Sequence, residues 1–68
     1  MKIKLYRQES EMYKRLHWVD LSKVIAISDV ISSDSSFRIY FNDSTKPWIV
    51  TPHESMTYAE IITKWQNE

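Results

Sequence analysis

The chain has 68 residues, nine Lys/Arg against nine Asp/Glu, 43% hydrophobic residues, and neither cysteine nor glycine. A chain of this size buries only about 60% of the surface its unfolded form exposes, so it needs dense packing or outside help. Without cysteine there is no disulfide and no thiolate zinc site, and without glycine there is no phosphate-cradling loop and no G-x-S-x-G elbow.

The balanced charge also argues against a chain that holds nucleic acid by bulk charge. That charge is unevenly spread. Residues 1–18 carry five Lys/Arg against two Glu (+3), residues 19–45 two against four (−2), and residues 46–68 two against three (−1). Three Trp, four Tyr and two Phe give a folding composition, not a disordered one. The scarcity of Gly and Ala beside abundant Ile, Lys, Ser and Tyr points to a low-GC bacterium or a phage of one. The start at Met1, with no tag, reads as a complete small open reading frame. Residues 1–8 are too polar for a signal peptide, and the longest apolar run is residues 24–27, so a cytoplasmic location is expected.

In chain order, Ile3 and Leu5 alternate with Lys2, Lys4 and Tyr6, which predicts a strand over 2–7. A polar turn follows. Residues 13–19 form a second predicted strand, with Leu16 and Trp18 on its core face and Arg15 and His17 on the other. Residues 23–31, KVIAISDVI, are β-branched and apolar on both faces, as suits a central strand. Its phase is open: if Val24, Ala26 and Val30 face the core, then Ile25, Ile27 and Ile31 face outward. The serine-rich tip at 32–35 leads into a fourth strand at 36–42. There Phe37, Ile39 and Phe41 alternate with Arg38 and Tyr40. The turn NDSTKP precedes a short fifth strand at 48–51, and its start after Pro47 favours an edge.

The period then changes. Tyr58, Ile61, Ile62 and Trp65 lie at i, i+3, i+4 and i+7, one stripe of a helix at about 53–66, with Met56 extending the stripe. Thr51-Pro52-His53-Glu54 fits a capping box, and Ser55 is a rival cap, so two starts stay open. Lys64 suits the helix's negative pole. The reading is one α+β domain: a small antiparallel sheet of four to five strands, or a partial barrel, packed on one C-terminal helix.

Phe37-Arg38-Ile39-Tyr40-Phe41, a polar turn, Trp48-Ile49-Val50 and a helix ending on Trp65 together resemble the C-terminal half of a pleckstrin-homology-like domain. The resemblance covers residues 37–66. It implies architecture only, since the basic lipid-binding loop of that family has no match here.

For chemistry, the two histidines are His17 and His53. A Ser55–His53 nucleophile–base pair can be drawn, but nothing in the spacing requires it. His53 and Glu54 are adjacent and would diverge by about 100° on a helix, a poor metal pair. No catalytic residue, cofactor or metal is therefore expected, and the chain reads as no enzyme. Two binding surfaces remain. The first is a protein interface carried by Arg38, Tyr40, Trp48 and Ile27, as in a small cytoplasmic regulator or inhibitor that binds another protein and self-associates. The second is a single-stranded nucleic-acid face of Lys4, Tyr6, Arg15, His17, Arg38 and Tyr40, with rings for bases and cations for phosphates.

Overall fold

Five strands and one helix make up the regular structure of the residues described by the computed structural model, 1–53 and 56–68. They are β1 (Lys2–Ser10), β2 (Tyr13–Asp20), β3 (Val24–Ile27), β4 (Phe37–Phe41), β5 (Trp48–Pro52) and α1 (Tyr58–Gln66), with a 3-10 turn at Leu21–Lys23 between β2 and β3. All neighbouring strands are antiparallel, in the order β2-β1-β5-β4-β3. The α+β sheet-and-helix architecture expected from the sequence is the one observed.

The topology departs from a plain meander at one place. β5 pairs with β1, Tyr6 opposite Thr51 and Arg7 opposite Val50, so β5 is central and not an edge. Pro47 precedes the strand and Pro52 ends it, so neither interrupts the ladder inside it. The edges are β2 and β3. Only the three residues of the 3-10 turn connect them, so the sheet must curl until its edges approach each other, giving a partial barrel. Asp20 shapes this corner: its carboxylate accepts from the Ser22 amide at 3.1 Å and the Ser22 hydroxyl at 2.7 Å. Both bonds hold the Asp20 carboxyl below the usual carboxylate range. Leu21, buried at the corner, donates its amide to the Met1 carbonyl at 2.8 Å.

The core is Ile3, Leu5, Val19, Leu21, Val24, Phe37, Ile39, Val50 and Ile61, with Ile27, Phe41, Trp48, Met56, Tyr58 and Trp65 packed around it. Two phases differ from the alternation read along the chain. In β2, Ile3 sits opposite Val19 and Lys4 opposite Trp18. Val19 is therefore the inward residue, and Leu16 and Trp18 stand outside, 39% and 65% exposed. The pattern Leu16/Trp18 and the pattern Val19/Leu21 differ by one residue. A one-residue change of phase exchanges every side chain between faces. The second pattern is the one that runs on into the buried corner.

In β3 the open question has a mixed answer. Val24 faces Phe41 and Ile27 faces Ile39, with a register shift between Val24 and Ala26. The extra residue is a bulge that lets Val24 and Ile27 both turn inward while Ile25 remains 59% exposed. β3 is a four-residue edge strand, not a central strand of nine. Beyond it Ser28 takes over the pairing: its amide donates to the Arg38 carbonyl at 2.9 Å and its hydroxyl accepts from the Arg38 amide at 2.8 Å.

The helix starts later than either sequence signal placed it. Thr51 and Pro52 belong to β5, and Glu54 and Ser55 lie outside the described residues. Thr57 is the N-cap, its hydroxyl oxygen accepting from the Glu60 amide at 3.2 Å and its hydroxyl donating to the Glu60 carboxylate at 3.2 Å, a four-residue Thr-x-x-Glu pairing of the capping-box kind. Ile61 is buried, and two polar bonds lock the helix onto the β3 segment. Tyr58 donates its hydroxyl to the Ser28 carbonyl at 2.8 Å, and Trp65 donates its indole N–H to the Val24 carbonyl at 2.9 Å. Burial, with Asp29 nearby, pushes the Tyr58 phenol up from its ordinary pKa. The chain ends meet as well, the Met1 amino group lying 2.5 Å from a Glu68 carboxylate oxygen.

Candidate interaction surface

The paired register divides the polar and aromatic residues between two faces. On the inner face of the β1–β2 ribbon lie Arg7, Arg15 and His17, with Glu9 and Trp48 close by. The Arg7 guanidinium carbon lies 4.1 Å from the Trp48 ring centre, a cation–π contact. His17 meets the same ring edge-on at 5.3 Å, and Phe41 meets it, also edge-on, at 5.0 Å. Glu9 ties the cluster together, 2.9 Å from His17 Nε2 and 3.7 Å from Arg7 Nη1. The His17 hydrogen bond foremost, with the neighbouring Arg7 and Arg15 charges, holds the Glu9 carboxyl below its ordinary pKa. Trp48 is thus boxed in, a wall of the barrel mouth and not an exposed anchor.

The outer face of the same ribbon is different. Lys4 Nζ lies 5.0 Å from the Trp18 ring centre, and Tyr6 stacks on His53 at 5.8 Å with an interplanar angle of 29°. Beside them opens a groove of about 490 Å³ whose lining includes Lys2, Lys4, Lys64, Trp18, His53 and Met56, with no carboxylate among the described lining residues. Trp18 also borders a second groove of about 300 Å³, at the seam where the β2 edge nears β4 and β5, with Val19, Phe41 and Trp48 in its lining. One exposed indole therefore stands between two concavities.

The residues assigned to a protein interface do not come together. Arg38 and Tyr40 point outward from β4, whereas Ile27 and Trp48 pack against the core. The nucleic-acid set is also divided. Lys4, Tyr6, Arg38 and Tyr40 are outward, while Arg15 and His17, as the partners of Arg7 and Leu5, are inward. Among the outward four, Lys4 and Tyr6 on β1 are separated from Arg38 and Tyr40 on β4 by β5 and the curl of the sheet. Sequence reading missed Trp18 and Leu16 as surface residues. The available signal was the Asp20–Ser22 corner, which makes Leu21 a buried plug and so fixes Val19 as inward. The Ser55–His53 pair falls partly outside the described residues.

No known protein family, curated protein or solved structure matches the chain. No described helix is long and apolar enough to cross a membrane.

Proposed function

We propose that the protein is a non-catalytic interaction module, a small cytoplasmic regulator or inhibitor, that binds another protein through the outer face of the β1–β2 ribbon. The observation that carries this is the 65% exposure of Trp18, beside Leu16 and Lys4, on an edge strand. Tryptophan is among the residues that most often dominate binding energy, and exposing so large an apolar ring alone gives no stability. The lysines around the adjoining groove favour a partner whose contacting segment is acidic around an apolar anchor. The cytoplasmic setting rests on a chain that uses no cysteine. The test is affinity capture from the native host with wild type, Trp18→Ala and Tyr40→Ala. One defined partner should be retained by wild type and Tyr40→Ala and lost by Trp18→Ala. Equal capture by a folded Trp18→Ala variant would remove this reading.

A second reading has its own support. Three lysines, the Trp18 ring and His53, itself stacked on Tyr6, border one groove and also suit a single-stranded nucleic acid. Oligonucleotides at low salt should then quench tryptophan fluorescence, with affinity falling as salt rises. No quenching at low salt would leave the protein-binding reading alone.

A further inference from the structure

The two edges of this sheet are not equally protected. A strand edge presents unpaired backbone groups, and soluble proteins blunt such edges with short strands, bulges, prolines or charge. β3 is blunted twice, by its four-residue length and by the bulge at Ile25. β2 is eight residues long, keeps unbroken register with β1 from Lys14 to Asp20, contains no proline, and pairs with no described strand on its other side.

The side chains along β2 are arranged symmetrically about His17. On the outer face the order is Lys14, Leu16, Trp18, Asp20. If a second β2 runs antiparallel with His17 opposite His17, Lys14 falls opposite Asp20 and Leu16 falls opposite Trp18. On the inner face Arg15 falls opposite Val19. Cross-strand pairs of opposite charge, and of aromatic with aliphatic residues, are the ones that stabilise a sheet. Centring on Arg15 opposes two arginines, and centring on Leu16 places Lys14 opposite Trp18. Centring on Trp18 sets Leu16 opposite Asp20. Only the His17 centre matches charge with charge and apolar with apolar.

We infer that two copies of the chain associate through antiparallel β2–β2 pairing centred on His17, joining their sheets across a two-fold axis. Such an interface is isologous, each edge serving as template for the other. The Lys14 ammonium is already held by Asp34 at 2.7 Å and Thr51 Oγ1 at 3.0 Å, so the Lys14/Asp20 match adds little, and the backbone ladder with the Leu16/Trp18 pairs sets the register and supplies most of the attraction. Pairing leaves the Trp18 rings on the outer face, where two Lys4/Trp18 surfaces lie side by side. The dimer deepens the proposed function, resting on the same docking edge, and makes the surface offered to a partner two-fold symmetric.

The chain lacks cysteine, so single introduced thiols report register without background. Residues directly opposite in an antiparallel pair have Cα atoms about 4.5–5.5 Å apart, within disulfide reach, whereas diagonal neighbours do not bridge readily. Under mild oxidation His17→Cys should form a covalent dimer. Leu16→Cys and Trp18→Cys should remain mostly uncrosslinked separately and crosslink when mixed. Wild type in sedimentation equilibrium should move toward twice the monomer mass as concentration rises, and Leu16→Lys combined with Trp18→Lys should stay monomeric with an unchanged circular-dichroism spectrum. A wild type that stays monomeric across the concentration range overturns the inference. So does a dimer in which Leu16→Cys crosslinks to itself and the Leu16→Cys/Trp18→Cys mixture does not. A wild type that stays monomeric yet captures its partner would overturn the pairing alone. A dimeric wild type that captures no partner, or capture by a folded Trp18→Ala variant equal to that of the dimeric wild type, would overturn the protein-binding reading alone.

Discussion

The β1–β2 ribbon and the β3–β4–β5 half of the sheet use similar residues for different ends. The ribbon has seventeen strand residues and places three of them, Ile3, Leu5 and Val19, in the buried core. The other half has fourteen and places four, Val24, Phe37, Ile39 and Val50. The ribbon meanwhile shows Tyr13, Leu16 and Trp18 to solvent. Stability is thus concentrated in the shorter strands and the helix that clamps them. The longer strands close the barrel on one face and keep large side chains outward on the other. Apolar character alone does not say which task a residue has; its place relative to a buried neighbour does.

The largest effect that could break this contrast is expected at Phe37. It is fully buried, and its ring meets Tyr58 edge-on at 4.9 Å. Phe37→Ala removes that contact and leaves a cavity, costing about 3–5 kcal/mol. That is a large share of the stability of a small domain. Urea unfolding should show a collapsed or absent transition. A loss under about 1 kcal/mol would mean that the core is not where the burial places it.

Next comes the clamp. Trp65→Phe keeps a ring in the stripe but leaves the Val24 carbonyl without its indole donor. A lost bond of this kind costs about 1–3 kcal/mol when the group left behind is buried. Amide exchange should quicken in α1 and β3 before it does in β1 and β2. Uniform quickening would deny that the two halves are held differently.

The link between the halves is polar. Asp34 receives the Ser36 amide at 3.1 Å, the Ser36 hydroxyl at 2.5 Å, the Ser32 hydroxyl, and the Lys14 ammonium at 2.7 Å from across the fold. The Lys14 bond first, then those from Ser32 and Ser36, hold its carboxyl far below the usual carboxylate range. A depressed folded-state pKa means that the stabilisation is complete above the ordinary carboxylate pKa of about 4 and is lost as pH falls below it. Asp34→Asn should therefore be less stable than wild type at pH 7, with the gap narrowing between about pH 4 and 2. In the same turn Ser35 has φ 67°, a left-handed conformation that disfavours residues with a Cβ. Ser35→Gly should raise stability by up to about 1 kcal/mol, the smaller because glycine also loses more entropy on folding.

How far the sequence reveals this molecule follows the same division. Phe37, Ile39, Tyr58, Ile61 and Trp65 were legible because each lies in an alternation with one reading. β2 was not, because Leu16, Trp18, Val19 and Leu21 allow two phases one residue apart, and the choice depends on what packs at the corner. β3 was not, because a bulge has no distinct signal in a β-branched run. The β1–β5 pairing was hidden for a different reason: it joins segments more than forty residues apart, and no local pattern marks it. Trp48 and Ile27 pack against the core for the same reason: Trp48 lies on a central strand, and the bulge in β3 turns Ile27 inward.

The smallest stability effect should come from Trp18, the residue proposed to anchor a partner. Trp18→Ala removes an exposed ring and its contact with Lys4, and cation–π contacts at exposed sites contribute about 0.5–1 kcal/mol. The urea midpoint should therefore shift only slightly. Val19, its chain neighbour, is 2% exposed, and Val19→Ala should cost several times more although it removes far fewer atoms. The two substitutions sit side by side on one strand, so strand propensity and distance from the termini are nearly matched and only the face differs. If Trp18→Ala proves the more damaging, the indole is packed rather than displayed. The outer face of the ribbon would then belong to the fold and not to a partner.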